Sequence, residues 1–318
     1  MVTLPSFCVL QHPFLALANI NIWMVNTTHI DAQASGNKFY KLMPNIEYAK
    51  EHAFECLLSF GGAYSNHIYA LALSARSHGL HSIGIIRGEA AYAANPTLRD
   101  AKNAGMEFVF VSREEYRLRD DAVYLDDLQK RYRHAFIIPE GGSNALAVKG
   151  CRRLMQQIND SLSVDSVAVA CGTGGTLAGL VTGGKPTQTV LGFSVLKDAS
   201  LALRVAGYLQ QTNGIRDSAD STNSYQIVDA TYGGYAKLDV ELLDFIMDWL
   251  EQTGILLDPI YTSKMCKRLF EMICAGDIKS HTTLAIVHSG GLQAWRGMKE
   301  RVIRLKGECF WGRIEREL

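Results

Sequence analysis

The sequence predicts an α/β protein, with mainly parallel sheets flanked by helices, and three observations predict it. From about residue 48 onward, short apolar runs alternate with amphipathic ones, the rhythm of strand and crossover helix. Parallel neighbours cannot be joined by a tight turn, so each strand needs a longer return, which here reads as a helix. The 318 residues are 47% hydrophobic, enough to bury a sizeable core in one large domain or two modest ones.

Taken in order, residues 1 to 30 read as an irregular arm with one strand, Ile20 to Val25, and a helical segment runs from Lys38 to about Lys50. Cys56 to Phe60 is a strand, and Ser65 caps a helix whose Ile68, Leu71, Ala72 and Ala75 fall at i, i+3, i+4, i+7. Ser82 to Arg87, Met106 to Ser112 and Ala135 to Pro139 read as further strands. Between them lie a helix opened by Pro96 and a charged helical region, Arg113 to Arg133. A second set begins with the helix Ala145 to Asp160, the strand Ser166 to Ala170, a glycine loop and a short helix to Gly183. Val190 to Val195 and Tyr225 to Asp229 are strands around a helix, Ala199 to Thr212, and the polar stretch 213 to 224 reads as an exposed loop without chemistry. Amphipathic helices follow over Asp239 to Thr253, ending at Gly254, and Thr262 to Ala275, ending at Gly276. A last buried strand, Thr282 to Val287, runs into His288-Ser289-Gly290-Gly291 and a final long helix; the tail from Glu308 has no readable pattern.

Thirty-two basic and 32 acidic residues cancel, so no global field recommends nucleic acid or an anionic membrane as partner, and a small-molecule site is expected. No signal-peptide pattern opens the chain and no apolar run reaches membrane-spanning length. Seven scattered cysteines without C-x-x-C spacing argue against a disulfide framework or a zinc site, which points to a cytoplasmic protein without a metal.

Four groups of residues carry chemistry. Lys38 follows a Gly36-Asn37 turn and opens a helix; buried, its amine would lose its proton readily enough to form a Schiff base, and exposed it is an ordinary surface charge. Cys171-Gly172-Thr173-Gly174-Gly175-Thr176 lies between strand and helix, where backbone N–H groups converge on an anion; it lacks the lysine of a nucleotide P-loop and the spacing of a dinucleotide fingerprint. Ser65-Asn66-His67 offers a hydroxyl, an amide and an imidazole at a helix start, a receptor for a carboxylate or phenolate, although capping alone accounts for serine and asparagine. Tyr235 and Tyr261 stand where elements meet loops, positions equally suited to packing.

In their joint order these motifs, with Asp258-Pro259-Ile260-Tyr261 and His288-Ser289-Gly290-Gly291, resemble the pyridoxal-phosphate enzymes of the 1-aminocyclopropane-1-carboxylate (ACC) deaminase and D-cysteine desulfhydrase family, which has the tryptophan synthase β-like fold. The match runs from about residue 35 to 300, and the 26-residue step between the tyrosines resembles the family's spacing. The resemblance implies a large domain of residues 1–47 plus 148–318, a small domain of 48–147, and a homodimer. It implies pyridoxal 5'-phosphate (PLP) on Lys38, with its phenolate oxygen on Asn66 and its phosphate on Gly172, Thr173, Gly174, Gly175 and Thr176. Ser65, with Asn66 and His67, would bind the substrate or, through the serine, act as nucleophile; Tyr235 and Tyr261 would orient substrate or shuttle a proton.

Two departures refine the expected activity. Members that open the cyclopropane ring are expected to carry a glutamate after the second tyrosine, where this chain has Thr262, facing the pyridine nitrogen. A carboxylate keeps that nitrogen protonated, whereas a hydroxyl supports a neutral, weaker electron sink. Losing sulfide from a β-carbon needs less of a sink than breaking a ring bond, so D-cysteine desulfhydrase is expected ahead of ACC deaminase. Val25-Asn26-Thr27-Thr28 replaces the relatives' basic-acidic run. A PLP-binding protein without turnover and a nucleotide-binding regulator are the alternatives of other classes.

Overall fold

The computed structural model describes residues 4–31, 35–212 and 224–318; nearly all of the polar stretch expected to be an exposed loop lies outside the described residues. Among the described residues ten strands form two sheets: β1 (Ser6–Val9), β2 (Asn21–Asn26), β3 (Cys56–Gly62), β4 (His81–Arg87), β5 (Glu107–Val111), β6 (Ala135–Ile138), β7 (Ser166–Cys171), β8 (Thr189–Ser194), β9 (Ser224–Asp229) and β10 (Thr283–His288). The larger sheet has the order β1-β2-β10-β7-β8-β9 and the smaller β5-β4-β3-β6. Only β1, at an edge, runs antiparallel to its neighbour. The mixed α/β architecture with parallel sheets is therefore the expected one.

Parallel strands are covered on both faces, and β10 shows it residue by residue. Its Leu284 and Ile286 join Ile22, Met24 and Phe193 in one apolar core, while Ala285 and Val287 join Val25, Val167 and Leu177 in the core on the opposite face. The smaller sheet is buried likewise, Leu57 and Ile86 on one side and Leu58, Phe60 and Ile85 on the other. Helix Asn37–Glu51 packs on helix Ala145–Ser161 so closely that a Cβ on Gly150 would stand 1.8 Å from the Tyr40 carbonyl oxygen. This crossing fastens the start of helix Asn37–Glu51 to the larger sheet.

Several expectations are corrected. The arm contains β1 and a short helix, Pro13–Ala18, beyond its one expected strand. The charged region 113–133 is three pieces, because Asp121, extended and accepting from the N–H groups of Val123 and Tyr124, caps a new helix, Ala122–Arg131. The final long helix is a 3-10 segment, Leu292–Met298, followed by Lys299–Lys306, and Gly307 at φ +83° turns the chain. The tail then forms a helix, Glu308–Arg316, whose buried Trp311 and Ile314 pack with Leu242 and Ile246. Among the described residues no helix is long and apolar enough to cross a membrane.

Candidate active site

The loops leaving the carboxyl ends of β3, β4, β6, β7 and β10 surround a cavity of about 980 Å³, the place where open parallel sheets put their ligands. Lys38 enters it from the first turn of helix Asn37–Glu51. That turn is locked against the β10 loop. Gly36 N–H donates to the Thr27 carbonyl at 2.8 Å, Asn37 N–H donates to Ser289 O at 3.2 Å, and the Thr27 hydroxyl donates to His288 O at 2.5 Å. Gly36 adopts φ 71°, ψ −152°, and a Cβ there would stand 2.0 Å from Ser289 O, so only glycine fits.

Lys38 Nζ donates to Asn37 Oδ1 at 3.0 Å, and Asn37 Nδ2 donates to Thr176 Oγ1 at 2.8 Å, which ties the lysine to the helix behind the glycine loop. Burial, and next the neighbouring Lys41 charge, lower the Lys38 amine to about 7. The unfolded chain therefore binds a proton that the cofactor-free folded chain sheds between pH 7 and the ordinary lysine range. Stability of the cofactor-free protein is expected to rise with pH across that window, by less than full burial would give because part of Lys38 is open to the cavity. Denaturant midpoints from pH 7 to 10 check this, and Lys38→Met should flatten the slope relative to wild type.

Lys41 was not singled out by its sequence context. It is buried, one turn beyond Lys38 on the same helix face, and Nζ donates to Gly141 O at 3.0 Å and Ser143 Oγ at 2.8 Å. Ser143 Oγ and Thr173 Oγ1 are 2.5 Å apart, so this cation also braces the glycine loop. Gly172, Thr173, Gly174 and Thr176 line the cavity, whereas Gly175 opens helix Gly175–Gly183 against Ser143, where a Cβ would stand 2.6 Å from Oγ. Gly174 takes φ +87° beside Val205, which fixes the shape of the loop.

Ser65 caps helix Asn66–Ser77 by accepting from Ile68 N–H at 3.3 Å. Asn66 Oδ1 accepts from Gln293 Nε2 at 2.8 Å, and Gly291 leaves room for the Asn66 amide, from which its Cβ would be 2.6 Å. His67 reaches the cavity lining from beneath, buried, with Nε2 2.8 Å from Ser59 Oγ. Ser59 donates onward to Ile138 O at 2.8 Å, so it accepts from His67 and Nε2 carries the hydrogen. Nδ1 is then an acceptor with no protein partner. Burial, with the Lys38 and Lys41 charges, holds the imidazole well below its usual range, hence neutral.

Tyr235 and Tyr261 come together, ring centroids 6.4 Å apart and tilted by 65°. Desolvation raises both phenols, Tyr235 although part of its ring is exposed, and Tyr261 further because Tyr235 lies against it. Asp258, part of the Asp258-Pro259-Ile260-Tyr261 motif though given no role by it, is buried and accepts from the N–H groups of Ile260, Tyr261 and Thr262 at 3.1, 2.7 and 2.8 Å, and so aims the start of helix Thr262–Cys274. Lys264 Nζ donates to Thr231 O at 2.8 Å and Gly234 O at 2.6 Å, which holds the loop bearing Tyr235. Among the described residues the fully buried Thr262 hydroxyl has no hydrogen-bond partner, and Thr262 is not among those lining the cavity. Arg87, Arg119 and Glu140 complete the far wall; no periodicity or motif marks them.

A family model described as pyridoxal-phosphate dependent enzyme matches residues 17–290. Among relatives, the chain is 28% identical over 316 residues to an Arabidopsis thaliana protein named bifunctional D-cysteine desulfhydrase/1-aminocyclopropane-1-carboxylate deaminase, mitochondrial, covering 92% of this chain and 77% of that one. It is 29% identical over 276 residues to a protein of Klebsiella pneumoniae named D-cysteine desulfhydrase, covering 81% and 83%. A crystal structure titled as an ACC deaminase homologue superposes with a TM-score of 0.83 at 22% identity, over 95% of this chain and 94% of that one. A threonine deaminase from Solanum lycopersicum gives 0.66 at 15%, over 96% and 84%. The structures establish the tryptophan synthase β-like fold, and the relatives bear out the resemblance read from the motifs. With the match spanning most of its length, from the arm to the last glycine turn, this chain belongs to the pyridoxal-phosphate dependent enzymes.

Proposed function

We propose that the enzyme removes the β-substituent and the amino group of a small amino acid, D-cysteine first, giving pyruvate, sulfide and ammonia. The residues present fit PLP. A lysine amine is lowered to about 7, a glycine loop opens a helix beside a buried cation, and a buried threonine hydroxyl lacks a protein partner. Lys38 would hold the cofactor, Gly172, Thr173, Gly174, Gly175 and Thr176 its phosphate, Asn66 its phenolate oxygen and Thr262 its pyridine nitrogen. Bound there, PLP supplies the electron sink for the substrate α-carbon.

The chain's own groups do the rest. The Lys38 amine, depressed toward neutrality, is suited to take the proton from the α-carbon. Ser65, with the free backbone donors of its helix start and with Asn66 and His67 beside it, receives the α-carboxylate. Because His67 is neutral and its Nε2 is committed to Ser59, it shapes this pocket without adding charge to it. The phenols of Tyr235 and Tyr261 stay protonated and donate toward the substrate or its leaving group.

Thr262 carries the choice of substrate: by the resemblance, its neutral hydroxyl would face the pyridine nitrogen where opening of a cyclopropane ring would call for a carboxylate. Holoenzyme given D-cysteine, L-cysteine and ACC in parallel should release sulfide and pyruvate from D-cysteine and nothing from ACC. Formation of 2-oxobutanoate from ACC would instead make this an ACC deaminase, the name several relatives carry.

The same proposal includes a large domain of residues 1–47 plus 148–318 and a small one of 48–147, which the membership of the two sheets supports. It includes a homodimer in the cytoplasm; a monomeric mass in solution scattering would overturn the dimer. The Arabidopsis relative is named mitochondrial, so kinship alone does not fix the location.

A further inference from the structure

Arg87 ends β4 at the carboxyl edge of the smaller sheet and lines the cavity with its side chain exposed to it. Its Nη2 lies 3.6 Å from where a Cβ on Gly62 would stand, and Ser65 N–H donates to Gly62 O at 3.0 Å, so the guanidinium flanks the turn that presents Ser65. It sits 5.4 Å from the ring centroid of Tyr116, whose ring also takes Arg119 at 5.2 Å. The acid of this cluster is already engaged, since Glu140 accepts from the Tyr116 hydroxyl at 2.6 Å and from Arg119 Nε at 2.7 Å. Among the described residues the Arg87 guanidinium makes no ion pair or hydrogen bond.

The remaining charges on the wall do not compensate it. Asp198 pairs with Arg204, while Arg119 faces both Asp120 and Glu140; Lys38 and Lys41 aside, the wall sets Arg87, Arg113, Arg119, Lys197 and Arg204 against Glu89, Asp120, Glu140 and Asp198, which leaves positive charge in excess. The cavity, at about 980 Å³, is at the upper end of the roughly 300–1,000 Å³ usual for small-molecule sites, so a substrate longer than cysteine has room. A planar guanidinium steadied on an aromatic ring is the group best matched to an oxyanion held by two parallel hydrogen bonds.

From this, and resting on the β-elimination reading above, we infer that Arg87 receives an anionic substituent on the substrate's β-carbon, so that the site takes β-substituted alanines ending in an oxyanion such as phosphate. With O-phosphoserine the Cα–H bond breaks and its proton goes to the Lys38 amine; the Cβ–O bond breaks and its electron pair leaves with phosphate. Water then hydrolyses the released enamine, after its shift to the imine, to pyruvate and ammonia. One water is consumed and no oxidant or reductant is needed.

The test uses holoenzyme in two arms. In turnover, one enantiomer of O-phosphoserine should release phosphate and pyruvate, and Arg87→Met should lower its kcat/KM about ten- to hundredfold more than that for D-cysteine, with Arg87→Lys falling between. In binding, aspartate should raise the unfolding temperature more than its neutral isostere asparagine, and Arg87→Met should erase the difference. Equal losses for both substrates would overturn the inference, making Arg87 a general carboxylate or structural residue, as would equal stabilisation by aspartate and asparagine. No turnover of D-cysteine, with the aspartate preference intact and dependent on Arg87, would remove the desulfhydrase reading and leave the role of Arg87 standing.

Discussion

Lys38→Ala is expected to lower kcat/KM by about a thousandfold or more for whichever amino acid the enzyme takes, because in the proposed function Lys38 is both the cofactor's covalent anchor and the base that reaches the α-carbon. One feature of the structure and one of chemistry make the loss specific to this lysine. Lys41, the nearest other amine, is committed to Gly141 and Ser143 and cannot swing over without releasing the glycine loop. Arginine at position 38 would not rescue, since a guanidinium stays protonated where a free base is required. The measurement is keto acid release together with the absorbance of protein-bound cofactor after gel filtration. A variant that keeps more than a tenth of wild-type turnover would remove Lys38 from both roles.

Gly36→Ala should be the most damaging of the conservative substitutions, costing about 3 kcal/mol or more. Backbone at φ 71°, ψ −152° is a region that glycine alone occupies readily, with a penalty of about 1–3 kcal/mol for other residues. The added methyl must also displace backbone, since Ser289 O would lie 2.0 Å away, and forcing atoms into a packed site costs about 1–3 kcal/mol more. Gly276 is the control: its φ of +77° is comparable but nothing lies within 4 Å of a Cβ, so Gly276→Ala should cost about 1 kcal/mol. Urea denaturation compares the two directly. The loss at Gly36 should be accompanied by weaker cofactor retention, because the same turn carries Lys38.

Most of the fold was legible because central parallel strands advertise themselves: β7 and β10 are continuous apolar runs buried on both faces. β1 was not, since it is an exposed edge whose residues carry no core alternation, and the helix Pro13–Ala18 buries only Leu15. Glycines showed where loops meet helices. Partners distant in sequence were invisible: Lys41 acts through Gly141, Ser143 and Thr173, a hundred or more positions away. His67 was grouped with Ser65 and Asn66 because they are neighbours in the chain, yet successive helical residues face different ways, and its ring turns under the cavity to Ser59. Asp258 could have been read as the acidic cap of the helix that begins at Thr262; the tyrosine three positions on drew attention instead.

The position of β10 has a consequence for how the chain comes together. The four strands of the smaller sheet lie within one uninterrupted stretch, residues 56 to 138, and can pair as soon as that stretch exists. The larger sheet cannot, because β10, the last strand in the chain, stands between β2, one of the first, and β7. A polypeptide still shorter than residue 283 has no hydrogen-bonded link from its N-terminal hairpin to the rest of that sheet. The arm therefore waits without its sheet partner through most of synthesis, and its closure, a contact spanning some 260 residues between Thr27 and His288, completes the turn before Lys38 last.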